Sequence, residues 1–226
     1  ATACSLDEKV MSYPLPQTYY QTPAQCLSGL NACYGNLRSI YNNKEYFVIC
    51  EVQSDIMYIN RSNQKNAILA VSPSAPQFGS TMWTQCYQGI CRVNAVEAAI
   101  GRSPMTDEEK APLYGEAAVL RSMFCYILTS NFGDVPFYRE EVTSETNDRI
   151  ARLPRMSAVQ TRDSLIKDLK YWILEKQGLD LMPTNDPGNR QQYRAGAALG
   201  LMLGGKMCLW NGRWSDAIDF FGALED

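Results

Sequence analysis

Ala117, Leu120, Phe124, Ile127 and Leu128 recur at three- and four-residue intervals, the spacing that lines side chains along one face of an α-helix. The pattern predicts a helix with one buried face. Thr106 and Glu109 form a capping box that opens it, and Pro112 predicts a kink or a short preceding turn. Asn131 and Gly133 tolerate left-handed backbone and Pro136 cannot extend a helix, so the chain should leave abruptly at Phe132-Gly133-Asp134.

The same period returns along the rest of the chain. Thr22-Pro23 starts a helix with Leu27, Leu30, Tyr34, Leu37 and Tyr41 on its stripe, ending at Asn42-Asn43. Ser80 or Thr81 starts another, running to Ile100, with Trp83, Tyr87, Ile90, Cys91, Asn94 and Ala98 on one side. Trp83 could stack on a sugar ring, but its register with Tyr87 and Ile90 favours a core position. Ser157 and Gln160 form a second capping box, with Leu165, Ile166, Leu169 and Ile173 inward.

Two helices close the chain. The first carries Ala195, Ala198, Leu199, Met202 and Leu209 and stops at Asn211-Gly212; the second carries Trp214, Ala217, Ile218, Phe221 and Leu224. Small residues facing large ones across a tight turn describe half of a tetratricopeptide unit. Gly200, Gly204 and Gly205 cost helix propensity and should permit close approach. The fold expected is all-α, tetratricopeptide-like helix pairs with long irregular loops.

Between these helices the pattern is less decisive. Residues 46–52 are apolar and too short to separate a buried strand from a helical turn. Residues 53–79 form a polar, irregular stretch, and a loop of that length is usually functional or disordered. It carries Tyr58, Arg61, Asn63 and Phe78, aromatic and hydrogen-bonding side chains that a core does not explain; these are the candidate ligand-binding residues. A second Pro-, Asn- and Gly-rich loop spans 177–193.

Composition removes several function classes. The 226 residues include 46% hydrophobic ones, which excludes a disordered chain, yet no run approaches the roughly 20 apolar residues that span a bilayer. The net charge of −3, with no basic block, argues against nucleic acid. With no histidine, Ser-His-Asp and Cys-His catalysis are out of reach. Paired-carboxylate chemistry needs no imidazole, but no acidic spacing announces it, so Glu116 and Arg121 read as ion-paired or solvated, and neither enzyme activity nor a cofactor is expected. Eight cysteines lack any C-x-x-C spacing and sit mostly in helical apolar patterns, which favours buried free thiols over a disulfide framework.

Four segments, together with the N-terminus, resemble the SusD/RagB family of outer-membrane nutrient-binding lipoproteins in its order. They are Glu116-Ala117 followed by Leu120-Arg121 and Phe132-Gly133-Asp134-Val135-Pro136; Trp83, Tyr87, Ile90 and Asn94; Ile166, Asp168 and Leu169; and Trp210-Asn211-Gly212-Arg213-Trp214 before Asp216-Ala217. Leu30-Asn31 with Tyr34, and Ser54-Asp55 ahead of the long loop, are similar to further family segments. Ala1-Thr2-Ala3-Cys4 resembles the end of a lipoprotein signal, which implies a lipid anchor on Cys4.

The resemblance implies a SusD-like α superhelix, residues 1–21 as a tether and 22–226 as one helical body, without the C-terminal half of longer members. It implies a lipid-anchored protein of the outer-membrane surface that captures a glycan and delivers it to a SusC-like TonB-dependent transporter. The alternative is a helical-repeat scaffold that binds a protein or peptide, a RagB-like peptide-uptake role included.

Overall fold

The computed structural model describes residues 19–52, 79–175 and 193–225. These residues form eight α-helices: α1 (Pro23–Tyr41), α2 (Lys44–Cys50), α3 (Ser80–Arg102), α4 (Asp107–Phe132), α5 (Asn147–Ala151), α6 (Ala158–Leu169), α7 (Ala197–Trp210) and α8 (Trp214–Glu225). The ambiguous stretch at 46–52 is thus mostly helical, with Val48 and Val52 buried. A π-helical turn, Lys170–Glu175, extends α6 and buries Ile173. Neighbours pack in sequence: α1 on α3, α3 on α4, α4 on both α6 and α7, and α7 on α8.

Capping follows the local chemistry. Thr22 and Gln25 bond reciprocally at the start of α1, and Thr106 and Glu109 do the same for α4. At α6 only half of the expected box forms: Ser157 Oγ accepts from the Gln160 amide, and the Gln160 side chain bonds the Ser157 hydroxyl. Gly133 ends α4 at φ 69°, left-handed backbone that favours glycine. Pro112 neither breaks α4 nor cuts off a separate first turn; the helix runs through it from Asp107.

The centre of the core is α4, on which Ala117, Ala118, Val119, Leu120, Phe124 and Leu128 are fully buried. Helices lie on more than one side of it, so burial extends round the helix instead of keeping to one stripe. Phe124 lies across α3 at Gly89, where a Cβ would fall 2.3 Å from the ring. That contact depends on glycine. Burying such a side chain stabilises the fold by about 1.5–3 kcal/mol.

The glycines of α7 bring helices together in the same way. A Cβ at Gly204 would lie 2.5 Å from the Phe220 ring, one at Gly205 2.4 Å from Phe221, and one at Gly200 2.2 Å from Ile173. This corrects the expected stripes of the last two helices. Phe220 is fully buried, whereas Trp214 and Ile218 are 64% and 72% exposed, because α8 turns its phenylalanines into the holes that α7 leaves open. Met202 and Leu209, expected inward on α7, face outward too, and Leu201, Leu203, Met207 and Cys208 take the core.

Candidate functional site

The candidate ligand residues Tyr58, Arg61, Asn63 and Phe78, and the lipidation residue Cys4, lie outside the described residues. The structure does describe the frame on either side of 53–78. The Glu45 carboxylate on α2 accepts from the Thr81 amide at 3.1 Å, the Thr81 hydroxyl at 3.0 Å and the Gly79 amide at 3.4 Å. A carboxylate here satisfies orphan amides of α3 and complements the positive end of its dipole. The chain before the loop and the chain after it are therefore tied to one short helix.

Gly79, at φ 122°, makes that junction possible. A side chain there would be strained, and its Cβ would approach the Phe132 ring to 3.2 Å. Sequence reasoning missed Glu45, since Lys44-Glu45 reads as a solvated charge pair and its partners lie 34 and 36 residues away.

Beside this junction Trp83 is half-buried against the core. Its ring meets Tyr87 at 4.9 Å and Phe132 edge-on at 5.2 Å, and the Arg155 guanidinium lies 5.6 Å from its centroid. Those contacts make Trp83 part of the wall, in line with its register, and not a bare platform for a sugar.

The Gly-Asp-Val-Pro exit of α4 joins three helices. Asp134 Oδ1 accepts from the Ala158 amide at 2.9 Å and so caps α6, while its carbonyl accepts from Arg155 at 2.8 Å. Val135 and Met156 exchange backbone bonds of 3.0 and 2.9 Å. The Tyr87 hydroxyl donates to the Pro136 carbonyl at 2.8 Å, and burial holds that phenol above its ordinary range. Asn94, fully buried, donates to the carbonyls of Tyr138 and Glu140.

The two buried charged residues of α4, Glu116 and Arg121, are ion-paired, as their setting in the sequence suggested. Arg121, 1% exposed, bonds Glu97 and, at 3.3 Å, both Asn94 and Asp168. Asp168 also takes Arg139 at 2.6 Å. Glu116 is held by Arg194 through bonds of 2.7 and 3.1 Å and by the Tyr34 hydroxyl at 2.6 Å. Each charge is thereby matched in a dry setting, which is a structural use of ions. Seven cysteines among the described residues are free thiols; Cys26, Cys33, Cys86, Cys125 and Cys208 are buried as expected, whereas Cys91 is half-buried and Cys50 exposed. Burial pushes Cys33 and Cys125 up to about 12. No group of three or more metal-ligating side chains occurs among the described residues.

The described residues form an all-α body of packed helices in which Glu45 ties α2 to the start of α3. Residues 15–194 match a SusD-like family described as starch-binding and associating with the outer membrane, and the chain belongs to that family. A SusD-like protein of Formosa agariphila is 22% identical over 203 residues, 84% of this chain and 37% of that protein. Among solved structures, surface glycan-binding protein A of Bacteroides uniformis aligns with a TM-score of 0.73 at 22% identity, over 91% of this chain and 46% of that one. A laminarin-binding SusD-like protein aligns with a TM-score of 0.73 at 19% identity, over 91% and 44%. At these identities the structures speak for the fold. The chain spans less than half the length of each of these relatives.

Proposed function

We propose that the chain is the glycan-capturing helical body of a cell-surface lipoprotein that delivers oligo- or polysaccharide to a partner TonB-dependent transporter. The mechanism is binding without bond cleavage: aromatic faces stack on sugar rings while amide, guanidinium and hydroxyl groups bond the sugar hydroxyls. Tyr58, Arg61, Asn63 and Phe78 are the residues proposed to make those contacts. Cys4 is the proposed lipid attachment point. No described helix is long and apolar enough to cross a membrane, so a lipid would supply the anchoring.

The observation that carries the reading is the family match over residues 15–194, which includes the whole 53–78 segment. The Glu45 junction supports it, because a binding segment gains affinity when its ends are fixed before the ligand arrives. The test is electrophoresis through gels containing soluble polysaccharides, in which a glycan-binding chain is retarded by one polymer and not by the others.

A scaffold that holds a protein is the second reading. One observation favours it: Trp210, Trp214 and Ile218 are 60%, 64% and 72% exposed at the α7–α8 end. It expects no retardation by any polysaccharide.

A further inference from the structure

A groove of about 290 Å³ lies between α1, α3 and the residues just before α1. Its wall includes Tyr19, Tyr20, Ser28, Gly29, Arg92 and Val96, and among the described residues Arg92 is its one charged side chain. Along α3 the groove is far from the junction at 53–78: Arg92 follows Gly79 by 13 residues, about 20 Å at 1.5 Å per residue. Its described lining includes none of Tyr58, Arg61, Asn63 and Phe78.

Arg92 is held from behind. Its Nη1 donates to Asn36 Oδ1 at 2.6 Å and to the Ala32 carbonyl at 3.2 Å, and Asn36 is fixed in turn by Gln85 at 2.8 Å. Nε and Nη2 donate to no other group among the described residues. A guanidinium oriented in this way keeps a two-donor edge that matches a carboxylate.

Tyr19 and Tyr20 meet edge to face, ring centroids 5.1 Å apart, and bring aromatic surface and hydroxyls to the same groove. Gly29 lets Tyr20 and Val96 pack directly against α1: a Cβ there would lie 2.7 Å from the Tyr20 ring and 2.8 Å from Val96. The volume is at the lower end of small-molecule cavities, which run from roughly 300 Å³ upward, so it suits one sugar ring better than a chain of them.

We infer that this groove is a second subsite, one that binds a single uronic acid residue of a glycan, with the sugar carboxylate on Arg92 and the ring against Tyr19 and Tyr20. The inference rests on the glycan-binding reading. An aromatic surface beside one fixed guanidinium suits a ligand with one apolar ring face and one carboxylate. A neutral sugar would leave that charge unmatched.

The test is calorimetry and backbone-amide NMR of the whole chain with the methyl glycosides of glucuronate and galacturonate. Methyl glucoside and N-acetyl-dialanine are the controls, and polysaccharide gels run in parallel. A uronate should bind and shift the amides of Gly29 and Arg92, and Arg92→Met should weaken it roughly tenfold or more. Arg92→Lys should recover part of the loss. Ser28→Trp, which fills the groove and leaves the Arg92 bonds in place, should weaken it as much.

Uronate binding unchanged in Arg92→Met and Ser28→Trp would overturn the subsite. So would equal binding of methyl glucoside, or tighter binding of the dipeptide, which would make the groove a peptide-carboxylate site. Retardation by a polysaccharide without any uronate binding would overturn the subsite and leave the glycan reading standing. Failure of both measurements would overturn both.

Discussion

Glu116 and Arg194, 78 residues apart in sequence, meet through two hydrogen bonds of 2.7 and 3.1 Å. Glu116 is 1% exposed, and the Tyr34 hydroxyl that donates to it also accepts from the Ala195 amide at 2.7 Å. The pair thus ties the start of α7 to α1 and α4. Removing one partner would strand a buried charge, so Glu116→Ala should cost about 3–5 kcal/mol. Replacing both with methionine should cost much less than the sum of the single changes, as a double-mutant cycle in urea would read. Additive costs would mean that the two charges are independent.

Two glycine substitutions should have opposite signs. Gly35 is exposed in the middle of α1, and a Cβ added there would meet nothing within 4 Å, so Gly35→Ala should stabilise by about 0.5–1 kcal/mol. Gly89→Ala would drive a methyl into the Phe124 ring and should cost about 1–3 kcal/mol. Thermal melting of the two variants checks both signs.

The buried thiols make stability depend on alkaline pH. Burial raises Cys33 and Cys125 from an ordinary 9.0 to about 12. The unfolded chain loses these protons first, so the folded state binds more protons above pH 9, and stability falls as pH rises from there towards 12. The urea midpoint should be lower at pH 10.5 than at pH 8; a flat or rising midpoint contradicts this. A thiol reagent at neutral pH should modify exposed Cys50 and half-buried Cys91 before Cys26, Cys33, Cys86, Cys125 and Cys208.

The Glu45 junction links stability to binding. Glu45→Ala should cost about 1 kcal/mol as a lost helix cap and should also reduce polysaccharide retardation, since the ends of 53–78 are then held less firmly. Glu45→Gln keeps an acceptor for Thr81 and should fall between wild type and Glu45→Ala in both measurements.

What could be read from the sequence was local chemistry. Thr22 with Pro23, Thr106 with Glu109, and Gly133 with Pro136 mark helix ends through neighbours a few residues away, and the structure places the ends there. The inward face of α8 was not legible. Two stripes share Ala217, Phe221 and Leu224, and only the position of Gly204 and Gly205 on another helix selects Phe220 over Ile218. Long-range pairs were hidden for the same reason: nothing near Glu116 names Arg194, and nothing near Glu45 names Thr81. The groove around Arg92 joins three separate segments and has no sequence signature at all.

The central claim, capture of a glycan through residues 53–78, is tested most directly by affinity electrophoresis of the whole chain and of a Tyr58→Ala, Phe78→Ala double variant in the same polysaccharide gels. The account predicts selective retardation by one polymer, lost in the variant while its melting temperature is unchanged. Retardation that persists in the variant would contradict the placement of the site, and no retardation by any polymer would contradict glycan capture by this chain.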